Sequence, residues 1–88
     1  MKAVWYEKVG DAKDVLQIGQ IDDPSPGSNE VLISVKTSGV NPSDVKTRAG
    51  ARGELQFSRV IPHSDGAGII IDVGKNVNPN RVGEKVWI

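Results

Sequence analysis

Gly39-Val40-Asn41-Pro42-Ser43-Asp44-Val45-Lys46-Thr47-Arg48-Ala49-Gly50 is the stretch that decides how this chain is read. A segment rich in β-branched residues runs into it, the chain turns at Asn41-Pro42, and the spacing predicts a short helix beyond. Asn41 suits an N-cap, where a side-chain oxygen takes an N–H of the first turn that has no intrahelical partner. Pro42 suits the first helical position, because the N–H it lacks would be unpaired there anyway. Asp44 brings a carboxylate to the positive end of the helix. Gly50 is a natural stop, since glycine accepts the left-handed conformation that ends many helices. Polar groups held at such a strand-to-helix corner sit where a rigid scaffold meets solvent, and binding sites concentrate there.

Upstream, Glu30 to Thr37 alternates, with Val31, Ile33 and Val35 on one face and Ser34 and Lys36 on the other. That period predicts a half-buried strand. Lys2 to Tyr6 and Leu16 to Ile21 read as two further short strands, joined through a polar turn at Gly10 to Asp14. Asp22 to Asn29 is a loop by its prolines and glycine. Downstream, Ala51 to Arg59 has no clear period and reads as a loop. Gly66 to Val73 contains Ile69-Ile70-Ile71, a run expected of a strand buried on both faces. Gly74 to Asn80 is a turn, and Glu84 to Ile88 a last strand. Several short strands, one helix and frequent turn residues predict a mainly β fold, a small and partly open β-barrel.

The bulk properties exclude several classes of function. Eighty-eight residues make one domain at most, burying roughly 60–65% of the unfolded surface. Eleven basic and eleven acidic residues cancel and are mixed along the chain, so no basic stripe exists to hold a nucleic-acid backbone. No apolar run approaches the roughly 20 residues of a membrane span, and the start carries no signal-peptide pattern. There is no cysteine, hence neither a disulfide nor a thiolate metal site. A cytoplasmic protein is the expectation. The chain stops at Val86-Trp87-Ile88, inside a strand, which predicts a piece of a longer enzyme.

The corner offers an amide at Asn41, a hydroxyl at Ser43 and a carboxylate at Asp44, which together can hold a sugar hydroxyl, a carboxamide or a reacting oxygen. Asn-Pro-Ser-Asp is equally a good capping sequence, and the residue types alone leave both readings open. Gly66 and Gly68 do not make a phosphate loop, because neither GxGxxG nor GxxxxGK[ST] occurs in the chain. Close backbone packing at the start of a strand is the better account of them.

With Pro62-His63-Ser64-Asp65-Gly66-Ala67-Gly68 and Val82-Gly83-Glu84-Lys85-Val86, the Gly39–Gly50 segment resembles the N-terminal, GroES-like part of the medium-chain dehydrogenase/reductase superfamily. The resemblance covers nearly the whole chain and is nearest to the zinc-independent quinone-oxidoreductase (zeta-crystallin-like) branch. Members of that branch carry the asparagine found here as Asn41 and an Arg-x-Gly pattern like Arg48-Ala49-Gly50. In the zinc alcohol dehydrogenases a cysteine ligand stands where this chain has Asn41, and their zinc histidine falls on Ser64. His63 replaces the preceding glycine and Asp65 takes the acidic position. Catalytic zinc takes three protein ligands, and an uncharged amide is a poor donor to it.

The resemblance implies that residues 1–88 are the N-terminal part of a GroES-like domain, with the cofactor-binding Rossmann domain absent from this chain. It implies a parent that reduces quinones, enones or related carbonyl compounds with NADPH or NADH, bound mainly by the absent domain. Asn41 and Arg48 are then expected at the cofactor, Ser43 and Asp44 in the catalytic corner, and no residue at a metal. The parent is expected to be a cytoplasmic homodimer acting on a small molecule, with no nucleic-acid or membrane partner and the isolated chain inactive. The alternatives are a fragment of a zinc-dependent alcohol dehydrogenase and a non-enzymatic GroES-like assembly module. The helix corner belongs to the reductases and not to co-chaperonins.

Overall fold

The computed structural model describes residues 1–88. Its strands are β1 (Lys2–Trp5), β2 (Gln17–Gln20), β3 (Val31–Ser38), β4 (Gly66–Val73) and β5 (Lys85–Trp87). Two α-helices, α1 (Ala12–Val15) and α2 (Pro42–Ala49), and a 3-10 turn at Pro79–Arg81 complete the elements. The fold is mainly β, with α2 the only helix longer than one turn, and neither sheet closes on itself. This is the partly open GroES-like class expected above. The chain divides into two compact units, Met1–Asp22 with Val40–His63, and Asp23–Gly39 with Ser64–Ile88.

In the first unit β1 and β2 run antiparallel, with Lys2 opposite Gln20 and Trp5 opposite Gln17. Tyr6 continues β1 by one residue and pairs with Val60, each N–H donating to the other's carbonyl at 2.9 Å. Tyr6 and Val15 form the buried core of this unit, at 2% and 4% exposure. The stretch expected to be a plain polar turn instead contains α1, whose Val15 N–H reaches the Asp11 carbonyl at 3.1 Å. Its cause is tertiary. Val15 packs onto Gly10, where a Cβ would come within 2.9 Å of the valine Cγ1, so burial of one side chain winds a weak helical sequence.

In the second unit β3, β4 and β5 form an antiparallel sheet in that order. The β3–β4 ladder slips twice, once between Leu32 and Ile33 and once between Val35 and Thr37. The partners on either side leave Ile71 as the extra residue at the first slip and Lys36 at the second. Bulges of this kind re-aim the side chains that follow them. Two sequence expectations are corrected. Burial along β3 does not alternate, since residues 31–34 are all half-buried and Val35 is 54% exposed, and the isoleucine run of β4, with Ile71 at the bulge, is not buried on both faces. Ile70 is 1% exposed while Ile71 is 52% exposed. Gly66 and Gly68 lie so close to the carbonyls of Thr37 and Ser34 that a Cβ at either would strike backbone. The close-packing account of these two glycines therefore holds.

Candidate functional site

The corner is built from the two ends of α2. Asn41 is extended (φ −116°, ψ 156°) and occupies the N-cap, with Pro42 starting the helix. Asn41 and Asp44 form a capping box. The Asn41 backbone N–H donates to Asp44 Oδ2 at 2.7 Å. The Asp44 N–H donates back to the Asn41 carbonyl at 3.0 Å, with the Asn41 side chain alongside. Two donors that a helix start leaves unpaired are thereby satisfied within one turn. Asn41 and Asp44 are half-buried, whereas Ser43 is exposed and its hydroxyl carries no bond to the protein.

At the other end Gly50 adopts the left-handed conformation (φ 98°) expected of a stop. The Ala51 N–H reaches the Lys46 carbonyl at 3.0 Å and the Gly50 N–H reaches that of Thr47 at 3.2 Å. That pair of bonds is the Schellman arrangement. Arg48 anchors this last turn: its guanidinium Nη1 donates to the Gly10 carbonyl, and the Gly10 N–H donates to the Arg48 carbonyl at 2.9 Å. The structure thus gathers Asn41, Ser43 and Asp44 in the first turn, while Arg48 stands at the opposite end of α2, bound to the turn after β1. The Gly10 partner was not legible in the sequence, because nothing local marks a contact 38 residues away.

A cavity of about 270 Å³ opens beside the second half of α2, lined by Tyr6, Thr47, Val60 and the loop of residues 52–57. Sequence reasoning missed it, having treated that loop as featureless and Tyr6 as an ordinary strand residue. The only usable signal was that Tyr6 is the sole tyrosine of the chain.

This chain holds no cysteine and no group of three His, Asp or Glu side chains gathered to hold an ion. His63 is exposed and is the one non-glycine residue with positive φ, at 79°, in the place the zinc enzymes give to glycine.

The fold and this corner place the chain in a known class: it belongs to the alcohol dehydrogenase GroES-like domain family, which residues 27–88 match. Its relatives include quinone oxidoreductases of the medium-chain dehydrogenase/reductase superfamily. A chloroplastic quinone-oxidoreductase homolog of Spinacia oleracea is 32% identical over 88 residues, covering 98% of this chain and 27% of that protein. A mitochondrial enoyl-[acyl-carrier-protein] reductase of Xenopus tropicalis is 28% identical over 83 residues, 94% of this chain and 23% of that protein. Escherichia coli quinone oxidoreductase, solved in complex with NADPH, superposes with a TM-score of 0.85 at 25% identity, over 99% of this chain and 26% of that one. The chain therefore spans about a quarter of the length of these relatives. None of its helices is long and apolar enough to cross a membrane.

Proposed function

We propose that residues 1–88 are the N-terminal part of the catalytic domain of a zinc-independent, NAD(P)H-dependent oxidoreductase that reduces quinones, enones or related carbonyl compounds. The dinucleotide is held mainly by a Rossmann domain outside this chain, and the isolated chain is inactive. NADPH is favoured because the similar E. coli quinone oxidoreductase was solved with it. The parent is read as a cytoplasmic homodimer. The single observation that carries the reading is the first turn of α2, where one half-buried amide, one exposed hydroxyl and one locked carboxylate are fixed at a strand-to-helix corner.

Each residue then has a distinct task. The bound cofactor supplies the hydride, and the protein supplies orientation and polar contacts. The Asn41 side chain, held by its own capped backbone, orients the nicotinamide carboxamide. The Ser43 hydroxyl, exposed to solvent, is available to relay a proton from water to the reduced oxygen. Asp44 takes no part in proton transfer while it caps Asn41 and instead fixes the corner's geometry. Arg48 supports the site from the far end of α2 through Gly10. A site held by backbone caps on a short helix keeps reacting atoms in register, which is where much of the rate in such reactions arises.

The test is NADPH oxidation by the full-length protein with 1,4-naphthoquinone and with 2-cyclohexenone, before and after exhaustive chelation. Turnover with either substrate that survives chelation is the expected result. No turnover with any carbonyl compound would favour an assembly module, and activity lost together with stoichiometric zinc would favour a zinc alcohol dehydrogenase.

A further inference from the structure

We propose that the cavity beside α2 is a subsite for a small, planar, uncharged ligand bearing a carbonyl oxygen, with the Tyr6 hydroxyl as the hydrogen-bond donor to that oxygen. Tyr6 is 2% exposed and lines the cavity. A buried tyrosine ordinarily finds a partner for its O–H, because an unpaired one forfeits a hydrogen bond it had in water. No protein group bonds this hydroxyl, yet no buried side-chain oxygen or nitrogen in the chain is sealed without a partner. The hydroxyl therefore keeps access to solvent, and the cavity is the space that Tyr6 lines. The reciprocal backbone bonds between Tyr6 and Val60, both 2.9 Å, fix the main chain from which the ring projects, and its burial at 2% exposure limits the ring's freedom.

The rest of the lining selects the ligand. Leu55 and Val60 give apolar lining, and Phe57, 71% exposed, adds a second aromatic ring on which a flat molecule could stack. Arg52 and Glu54 are the charged residues of the lining and are opposite in sign, so the cavity has no net charge to attract an ion. At about 270 Å³ it lies just below the roughly 300–1,000 Å³ usual for ligand pockets, which limits the occupant to about one ring. This ligand class is that of the substrate proposed above, so assigning the cavity to the substrate rests on that reading. The binding claim stands on the cavity itself.

The experiment measures dissociation constants of acetophenone and of toluene, which lacks the oxygen, by ligand-observed NMR on the full-length protein and two variants. Tyr6→Phe keeps the ring, and Phe57→Ala alters an exposed residue, so neither threatens folding. Tyr6→Phe is expected to weaken acetophenone about 3–10-fold and to leave toluene within about twofold. Phe57→Ala is expected to weaken both about 2–5-fold. Equal effects of Tyr6→Phe on the two probes, no effect of either variant, or no saturable binding overturns the proposal. NADPH oxidation followed on the same samples separates the claims. A protein that shows this binding pattern but no turnover retains the subsite and loses the reductase reading.

Discussion

Asn41 carries two burdens that substitution can separate. Its cap function depends on a side-chain oxygen near the first turn, and Asn41→Ala should cost about 0.5–2 kcal/mol of stability in urea unfolding. The proposed contact with the cofactor depends on the amide as a whole, so the same variant should also lose kcat/KM in protein that remains folded. Arg48 is the second residue with a sharp expectation. A charged donor on a half-buried carbonyl contributes more than a neutral pair, and Arg48→Ala should lower stability by about 1–2 kcal/mol by freeing α2 from Gly10. Gly50 sits at φ 98°, and a Cβ there would meet Val9 Cγ2 at 3.2 Å. Gly50→Ala should cost about 1–2 kcal/mol in the same assay, since an alanine is strained in the left-handed region even where space allows it.

At the scale of elements, the isoleucine run of β4 gives the clearest contrast. Ile70→Ala should destabilise by about 2–4 kcal/mol and Ile71→Ala by less than about 1 kcal/mol, because only the first empties a buried site. Equal losses in urea unfolding would contradict the bulge at Ile71. The contrast also shows what was legible in the sequence. The bounds of α2 could be read, because Asn41, Pro42 and Gly50 each act on the backbone through their own chemistry. The extent of β4 could be read too, since Gly66 and Gly68 mark where two backbones approach. The faces of β3 and β4 could not be read, because a bulge is a property of the pair of strands and not of either one. Helix α1 was missed for a related reason, being held by the burial of Val15 on Gly10 rather than by local preference.

At the scale of the whole molecule, family membership and the corner on α2 carry the functional reading, while the remaining three quarters of the relatives' length lies outside this chain. Ser43, Asp44 and Asn41 were legible as a site because capping residues and binding residues are chemically alike, and that same likeness kept the two roles open. The Tyr6 cavity was invisible, since it needs β1, α2 and the 52–57 loop together. One substitution separates cap from catalysis. Asn41→Asp preserves an N-cap oxygen and adds a charge favourable to the helix start, but replaces the amide donor with an anion. Measured in the full-length protein, it should keep unfolding stability within about 0.5 kcal/mol while kcat/KM for NADPH-dependent carbonyl reduction falls at least about tenfold. Full stability with full turnover would contradict the account and leave the corner as a helix cap alone.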